Sequence, residues 1–201
     1  MFYYKYYLFP PEGSLLITGW PGRGKSWFIK QLPEYYWSEP KTVRLGLAAV
    51  ASENLSSGDH EGHTLHSYFN IDRVTGNVRE KKINQCAKIK CIMITEIFNM
   101  TSDLMGLLLK IKDCFPHIRF ICEGDPDQLP PVKEAHIDWL KSPMMHKLCD
   151  GNRLHLTINK RNDEDERYHR IMNGDELAEL QIHREPQGFN MCAHNDMRHT
   201  I

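Results

Sequence analysis

The feature that most constrains the fold is the turn GWPGRGKS at residues 19–26. It directly follows the apolar run SLLIT (14–18) and opens KSWFIKQL (25–32), which has helical spacing and which we expect to stop at Pro33. The turn matches the pattern G-x-x-x-x-G-K-[ST] at every fixed position. A strand, a glycine-rich turn and a helix in this order are the context in which the pattern binds polyphosphate. We therefore predict a nucleoside triphosphate site here.

The chemistry of phosphate binding explains the residue types in this turn. Glycines let the backbone wrap so that successive N–H groups point at phosphate oxygens, and the start of a helix favours an anion. Lys25 is expected to reach the β- and γ-phosphates, and the hydroxyl of Ser26 is expected to bind Mg²⁺. Trp20 is bulky, and the sequence leaves open whether it covers the nucleotide or packs under the loop. The predicted nucleotide contacts from this turn are Gly19, Pro21, Gly22, Arg23, Gly24, Lys25 and Ser26.

A second apolar run, KCIMIT (90–95), reads as a buried strand that leads into one carboxylate, Glu96. Phosphate-cleaving enzymes often end such a strand with an aspartate that holds the Mg²⁺ shell and a glutamate that polarises the attacking water. Glu96 occupies the place of that glutamate, and Thr95 occupies the place of the aspartate. A hydroxyl cannot offset the metal's charge, so metal binding should be weakened without being abolished. We predict Ser26, Thr95 and Glu96 around the metal; the alternative is a core strand that ends in a surface glutamate.

Strands and helices alternate along the 201 residues. Because each predicted strand is continuously apolar, the pattern indicates an α/β fold with a mostly parallel sheet covered by helices on both faces. Besides the segments above, we read a β-branched and small-residue run at 42–50, a loop at 52–64, a short helix at 64–71, a turn within 73–78, helices at 101–113 (capped by Thr101 or Ser102) and 163–175, and strands at 118–122 and 153–158.

Composition fits an ordinary globular domain. With a net charge of −1, the chain as a whole is not basic, so its charge does not indicate nucleic-acid binding. A local groove can still be basic. The six cysteines are scattered without a CxxC pair, which suits reduced core thiols of an intracellular protein. No apolar run approaches the ~20 residues of a membrane span, so no membrane partner is expected.

The segment FICEGDPDQLPPV (120–132) adds polar groups beside the phosphate site. Gln128 can sense the γ-phosphate by hydrogen bonding, and Asp125 can help to position Mg²⁺ or the hydrolytic water. GDPDQLPPV resembles the third conserved motif of superfamily 1 DNA helicases of the RecD-like, 5′-to-3′ branch. GWPGRGKS is similar to their first motif, ITEIFNMTSDLM to their second and LTINKRND to their fourth. The spacing of NKRND and MNGD is also similar to helicases of large DNA viruses.

This resemblance implies a RecA-like P-loop NTPase domain at 1–160, followed at 161–201 by a helical extension and the start of a truncated second domain. It implies ATP and Mg²⁺ as cofactors, single-stranded DNA as partner, and hydrolysis that drives strand translocation. The chain ends before motifs V and VI, so the resemblance also implies a second RecA-like domain or subunit that completes the cleft. By position it assigns catalysis to Lys25, Glu96, Gln128 and Arg161, the last as an arginine finger.

The stretch GLAAVASENL…GHTLHSYF resembles the motif that lies near single-stranded DNA in the same family. The residues that the resemblance places against DNA are His66, Ser67, Tyr68 and Phe69. An aromatic side chain there could stack on a base, and the alternative is that Tyr68 and Phe69 pack in the core. His60, His63 and His66 raise a zinc alternative, which the order H-E-x-H, instead of H-E-x-x-H, disfavours.

Three functions remain on this basis. The first is an ATP-hydrolysing helicase motor domain. The second is a degenerate relative that binds nucleotide or DNA with little or no turnover, as Thr95 suggests. The third, a P-loop kinase or other small NTPase, is disfavoured because GDPDQLPPV and TLHSYF would have no role in it.

Overall fold

The structure is a computed structural model that describes residues 13–36, 42–56, 61–72, 75–128, 131, 134 and 136–158. These residues belong to one compact unit. The predicted domain boundary at 160/161, the predicted helix at 163–175 and the segment up to 201 lie outside the described residues. Among the described helices, none is long and apolar enough to cross a membrane.

The described part of the chain forms one parallel sheet. Its strands are β1 (Leu15–Thr18), β2 (Thr42–Gly46), β3 (Gly62–Thr64), β4 (Cys91–Ile94), β5 (Arg119–Gly124) and β6 (Arg153–His155). They are ordered β3-β2-β4-β5-β1-β6 across the sheet, and every pair runs parallel. The helices are α1 (Lys25–Tyr36), α2 (Ala49–Leu55), α3 (Leu65–Phe69), α4 (Glu80–Asn84), α5 (Ser102–Cys114) and α6 (Pro143–Leu148), with 3-10 turns at Gln85–Lys88 and Ile97–Asn99.

The two faces of the sheet are covered by different helices. Successive strand residues point to opposite faces, so alternate residues of β1, β4 and β5 enter two separate hydrophobic clusters. One cluster joins Ile17, Met93 and Ile121 to Ile29 of α1 and Leu55 of α2. The larger cluster lies on the other face and includes Leu16, Ile92, Ile94, Phe120 and Cys122 with Leu104, Leu108 and Ile111 of α5 and Met145 of α6. The predicted α/β fold with a parallel sheet covered on both faces is confirmed.

The register of the central strands brings three strand ends together. Ile94 of β4 pairs with Cys122 of β5, and Ile17 of β1 pairs with Glu123 of β5. Thr95, which follows Ile94, therefore lies level with Glu123. Because all three strands are parallel, the loops that leave their carboxyl ends meet at one edge of the sheet.

Several predicted segments are confirmed. β4 and β5 lie where strands were expected at 90–95 and 118–122, and α3 lies within the helix expected at 64–71. The helix expected at 101–113 is α5, and Thr101 occupies its N-cap position without a side-chain cap bond. Glu134 takes over the capping: its carboxylate accepts hydrogen bonds from the Ser102 backbone N–H at 2.7 Å and from the Ser102 hydroxyl at 2.9 Å. β6 covers only the first half of the strand expected at 153–158.

Two predictions about the N-terminal half are wrong. The first helix does not stop at Pro33 but continues to Tyr36. A proline removes one backbone N–H from a helix, and α1 tolerates that loss. The stretch 52–64 is not a continuous loop, because α2 extends to Leu55 and β3 begins at Gly62. The polar residues that suggested a loop serve local contacts instead: the Ser52 hydroxyl donates to the Ala49 carbonyl at 2.7 Å.

The close approach of α2 to β3 predicts a specific stability effect. A Cβ on Gly62 would lie 1.9 Å from the Ser52 carbonyl oxygen, whereas a Cβ on Gly106 in α5 would meet nothing within 4 Å. We expect Gly62→Ala to lower the free energy of unfolding by about 1–3 kcal/mol, since backbone must move to make room. Gly106→Ala should raise it by about 0.5–1 kcal/mol, because alanine favours a helix interior. Denaturant titration of both variants tests this, and shifts in the same direction would contradict it.

Candidate functional site

The turn between β1 and α1 has the backbone shape that requires glycine. Gly19, Gly22 and Gly24 have φ values of 150°, 78° and 82°. A Cβ on Gly19 would also lie 2.6 Å from the Leu156 carbonyl oxygen. The Phe28 N–H donates to the Gly24 carbonyl at 2.9 Å as the first turn of α1 forms. The loop therefore has the strand–turn–helix context that its sequence pattern needs.

The side chain of Lys25 lies inside this loop and is only 8% exposed. Its Nζ donates to the Gly19 carbonyl at 2.7 Å and to the Trp20 carbonyl at 3.1 Å. An ammonium group has three N–H donors, so this position leaves one for a further acceptor. The ammonium is thus held at the loop, where a phosphate oxygen would need it.

A buried carboxylate, Glu123, joins the ends of β4 and β5 to the first turn of α1. It is the penultimate residue of β5 and is 1% exposed. Its Oε1 accepts hydrogen bonds from the Thr95 hydroxyl and, at 3.3 Å, from the Ser26 hydroxyl. Its Oε2 has no hydrogen-bond partner among the described residues. Burial raises the pKa of Glu123 above its usual value, while the Thr95 hydrogen bond and the charge of Lys25 act to lower it.

The donors that converge here are all oxygens: the hydroxyls of Ser26 and Thr95 and the carboxylate of Glu123. Mg²⁺ prefers oxygen ligands and is usually held by one or two carboxylates together with substrate phosphates. The unpartnered Oε2 of Glu123 leaves an acceptor free, so the residues present fit this ion. No group of three or more His, Cys, Asp or Glu side chains able to hold a metal occurs in the described ranges. His60 of the zinc alternative lies outside the described residues.

Glu96 leaves β4 in a strained backbone conformation. Its φ and ψ of 59° and 37° are left-handed, which costs a non-glycine residue about 1–2 kcal/mol. Hydrogen bonds hold the chain on both sides: the Thr95 N–H donates to the Leu45 carbonyl at 3.0 Å, and the Asn99 N–H donates to the Glu96 carbonyl at 3.0 Å. Backbone strain of this kind concentrates at functional sites. The half-buried Glu96 follows Thr95 directly, and its charge is close enough to act to raise the pKa of Glu123.

The loop after β5 is tied to the phosphate loop. Asp125 is buried, and its Oδ1 accepts from the Asp127 N–H at 3.0 Å. The indole N–H of Trp20 donates to the Asp127 carboxylate at 2.8 Å, so this bulky side chain contacts the loop after β5. On the other side, the Arg23 guanidinium lies 5.7 Å from the Trp20 ring centroid and donates to the Thr157 carbonyl. Trp20 and Arg23 thus connect the phosphate loop to the loops that follow β5 and β6.

The edge of the sheet brings together most of the predicted site residues. Lys25 and Ser26 begin α1 after the loop that follows β1, Thr95 and Glu96 follow β4, and Asp125 and Gln128 follow β5. Arg161, the predicted arginine finger, lies outside the described residues, so its role stays a prediction. Sequence reasoning missed Glu123 and Asp127. A carboxylate inside the otherwise apolar run FICE was the signal that could have revealed Glu123.

The predicted DNA segment forms α3, which directly follows β3. In the sheet, β3 is separated from β4 by β2. His66 and Ser67 are exposed and Tyr68 is half-buried. The structure corrects the prediction for Phe69: this side chain is 0% exposed and packs in the core, where it cannot stack on a base. Ser67 serves the helix start, since its N–H donates to the Thr64 hydroxyl at 3.1 Å and its own hydroxyl donates to the Thr64 carbonyl at 3.0 Å. His66 and Tyr68 remain as surface candidates.

Comparison with known proteins agrees with this geometry. Residues 10–134 match the family model described as AAA domain. The chain belongs to the AAA domain family. This AAA domain is 34% identical over 143 residues to the ATP-dependent DNA helicase PIF1 of Emericella nidulans, a match that covers 61% of the chain and 19% of that relative. The resemblance to superfamily 1 helicases is thereby confirmed.

Solved structures give the same fold for the AAA domain. The Pif1 helicase from Candida albicans superposes with a TM-score of 0.65 at 24% identity, over 81% of this chain and 40% of that one. Bacteroides Pif1 bound to ssDNA gives a TM-score of 0.62 at 22% identity, over 84% of this chain and 44% of that one. Bacteroides Pif1 helicase in complex with ADP-AlF3 and ssDNA gives 0.60 at 23% identity, over 85% and 44%. The chain spans less than half the length of each of these proteins.

The positive φ of Gly24 predicts a separable effect on nucleotide binding. A Cβ on Gly24 (φ +82°) or on Gly76 (φ +69°) would meet nothing within 4 Å, so alanine at either position adds only backbone strain. Each substitution should lower the free energy of unfolding by about 1–2 kcal/mol. Only Gly24→Ala should also weaken ADP binding, because the strain opposes the loop conformation that points its amides at the phosphates. Titration with a fluorescent ADP tests this, and equal weakening by Gly76→Ala would contradict it.

Proposed function

We propose that the chain is the motor domain of an ATP-dependent DNA helicase: it binds ATP with Mg²⁺ and single-stranded DNA, and hydrolysis drives strand translocation. The observation that carries the proposal is that Lys25, Ser26, Glu96 and the Glu123 carboxylate of β5 lie together at one edge of the sheet. Similarity to the ATP-dependent DNA helicase PIF1 of Emericella nidulans supports it. The chain covers 19% of that relative, so activity of the whole protein is part of the proposal.

The residues of the edge have distinct roles in this reaction. Backbone N–H groups of the glycine-rich loop cradle the phosphates, and Lys25 exchanges its carbonyl partners for β- and γ-phosphate oxygens. Mg²⁺, when bound, neutralises charge on the phosphates, and the Ser26 hydroxyl helps to hold it. Glu96, fixed by its left-handed backbone, accepts a proton from the attacking water. Gln128 senses the γ-phosphate by hydrogen bonding, and Asp125 helps to position Mg²⁺ or the hydrolytic water.

The proposed DNA contact lies on α3. His66 is exposed and Tyr68 is half-buried with one side packed edge-on against Phe69, the ring centroids being 5.1 Å apart. This packing fixes the Tyr68 ring, and its exposed side offers a surface on which a base can stack. The solved structure of Bacteroides Pif1 bound to ssDNA, which shares the fold, supports single-stranded DNA as the partner.

A second RecA-like domain or subunit is part of the proposal. The chain spans 40–44% of the solved helicase chains that share its fold. Translocation requires two such domains that close on each nucleotide, and Arg161 would stabilise transition-state charge in the closed cleft. We place this machinery inside the cell, where ATP and single-stranded DNA occur together.

The hydrolysis proposal predicts a sharp dependence on Lys25. In Lys25→Ala, ATP turnover in the presence of single-stranded DNA should fall by at least about 100-fold, because a preorganised positive charge at the phosphates is lost. Lys110→Ala, which removes an exposed lysine from α5, is the matched control and should retain wild-type turnover. Steady-state phosphate release with and without single-stranded DNA measures both variants. Undiminished turnover in Lys25→Ala would contradict the proposal.

The neutral hydroxyl of Thr95, in the place of an aspartate, favours a second candidate: a relative that binds nucleotide with little turnover. The same assay separates the two functions. Wild-type protein that binds ATP analogues but releases no phosphate, with or without DNA, would support the second candidate. DNA-stimulated release that depends on Lys25 would support the first.

The α3 contact predicts a loss of DNA affinity on truncation of Tyr68. Tyr68→Ala should weaken binding of single-stranded oligonucleotide by about 1–3 kcal/mol, roughly 5- to 150-fold, since a stacking surface is removed. Tyr68→Phe keeps the ring and should retain most of the affinity, so it controls for the hydroxyl. Fluorescence anisotropy with a labelled oligonucleotide measures both, with circular dichroism to verify folding. Equal affinity of folded Tyr68→Ala and wild type would contradict the contact.

A further inference from the structure

Glu123 accepts hydrogen bonds from both Ser26 and Thr95, but the reaction described above gives it no role of its own. It is 1% exposed and its Oε2 has no partner among the described residues. The ion pairs of the described residues do not include it. Lys25, whose charge acts to lower the pKa of Glu123, donates its hydrogen bonds to two loop carbonyls instead. A buried carboxylate with one oxygen unpartnered and no ion pair is costly, and an ion seated beside it would offset that cost.

The register explains how Glu123 reaches the cluster. Thr95 and Glu123 lie level on adjacent strands, since Ile94 pairs with Cys122. They also share a face of the sheet, because Met93 and Ile121, each two residues earlier, both pack in the cluster under α1. Adjacent strands are about 4.8 Å apart, and glutamate is one methylene longer than aspartate. The hydrogen bond from Thr95 to Glu123 shows that the longer side chain spans this gap.

We propose that Glu123 takes over the work of the aspartate that Thr95 replaces, and that it is the carboxylate that holds Mg²⁺ when nucleotide is bound. The carboxylate lies at the end of β5 in this chain, instead of at the end of β4. Its Oε1 already accepts from Ser26, the hydroxyl expected to bind the metal. Its unpartnered Oε2 is the acceptor left for the ion or a water of its shell.

This inference rests on the proposed function, because it requires nucleotide and Mg²⁺ to bind at the loop. It also changes the interpretation of Thr95. The site is not short of one negative charge, as the strand KCIMIT alone indicated, since the charge comes from the neighbouring strand. Thr95 instead donates a hydrogen bond to the carboxylate that replaces the aspartate.

The test is the gain in affinity for a non-hydrolysable ATP analogue when Mg²⁺ replaces EDTA. Glu123→Gln should reduce this gain about 10- to 100-fold, with affinity in EDTA little changed. Glu53→Gln, which alters an exposed glutamate of α2, is the matched control and should keep the wild-type gain. A second readout is thermal unfolding without metal or nucleotide. There Glu123→Gln should be at least as stable as wild type, because a buried unpaired charge is removed.

A charge swap sharpens the test. Thr95→Asp added to Glu123→Gln returns one carboxylate to the end of β4 and should restore most of the Mg²⁺-dependent gain. Thr95→Asp alone places two carboxylates in contact, so it should lower the unfolding temperature in EDTA and recover it with Mg²⁺ and analogue. If Glu123→Gln does not fold, the double variant carries the test, since it keeps one carboxylate in the cluster.

The outcomes separate this inference from the proposed function. A wild-type gain in folded Glu123→Gln, or a folded double variant without the gain, would overturn the role of Glu123 and leave the helicase proposal standing. Wild-type protein that does not bind the analogue even with Mg²⁺ would overturn the proposed function itself. Loss of the gain in Glu123→Gln and its return in the double variant would establish the relocated carboxylate.

Discussion

The hydrogen bonds that join Thr95, Ser26 and Glu123 are the interaction on which this site depends. They link the ends of β4 and β5 to the first turn of α1 across the edge of the sheet. The parallel register makes this possible, because it sets Thr95 level with Glu123 and places β1 on the other side of β5. With the strands fixed in this way, the glycine-rich loop can only open over the same edge. The strand register therefore brings the binding groups to one edge of the sheet, and Trp20 and Arg23 tie the phosphate loop to its neighbours there.

The site keeps features that cost stability in the absence of a ligand. A carboxylate is buried with one oxygen unpartnered, a glutamate sits in a left-handed backbone, and a buried ammonium is held by two carbonyls. A divalent cation would offset the cost of the buried carboxylate, and a polyphosphate would supply the anion that the buried ammonium lacks. The two hydrophobic clusters on either side of the sheet stabilise the fold that tolerates these costs. Ligand binding is then expected to couple to stability by mass action.

Much of the fold could be predicted, for physical reasons that apply to particular segments. CIMI and the run around Phe120 are continuously apolar, and GWPGRGKS has few structural contexts, so the parallel sheet and the loop followed from local pattern. α2 could not be predicted, because its serine, glutamate and asparagine read as a loop until Ser52 and Leu55 are packed against β2 and β3. Phe69 was ambiguous for a similar reason, since only tertiary packing decides which of two adjacent aromatic rings is buried. Glu123 was missed because its partners lie 28 and 97 residues away in the chain. Local sequence does not reveal which residues of neighbouring strands lie level with each other.

The most direct test of the central claim is a crystal structure of the chain with Mg²⁺ and a non-hydrolysable ATP analogue. The account predicts phosphates within the loop at Lys25, and density for the metal beside the Ser26 hydroxyl with the Glu123 carboxylate turned towards the ion or its water. A metal bound with Glu123 still directed only at Thr95, or a loop at Lys25 without phosphate, would contradict it.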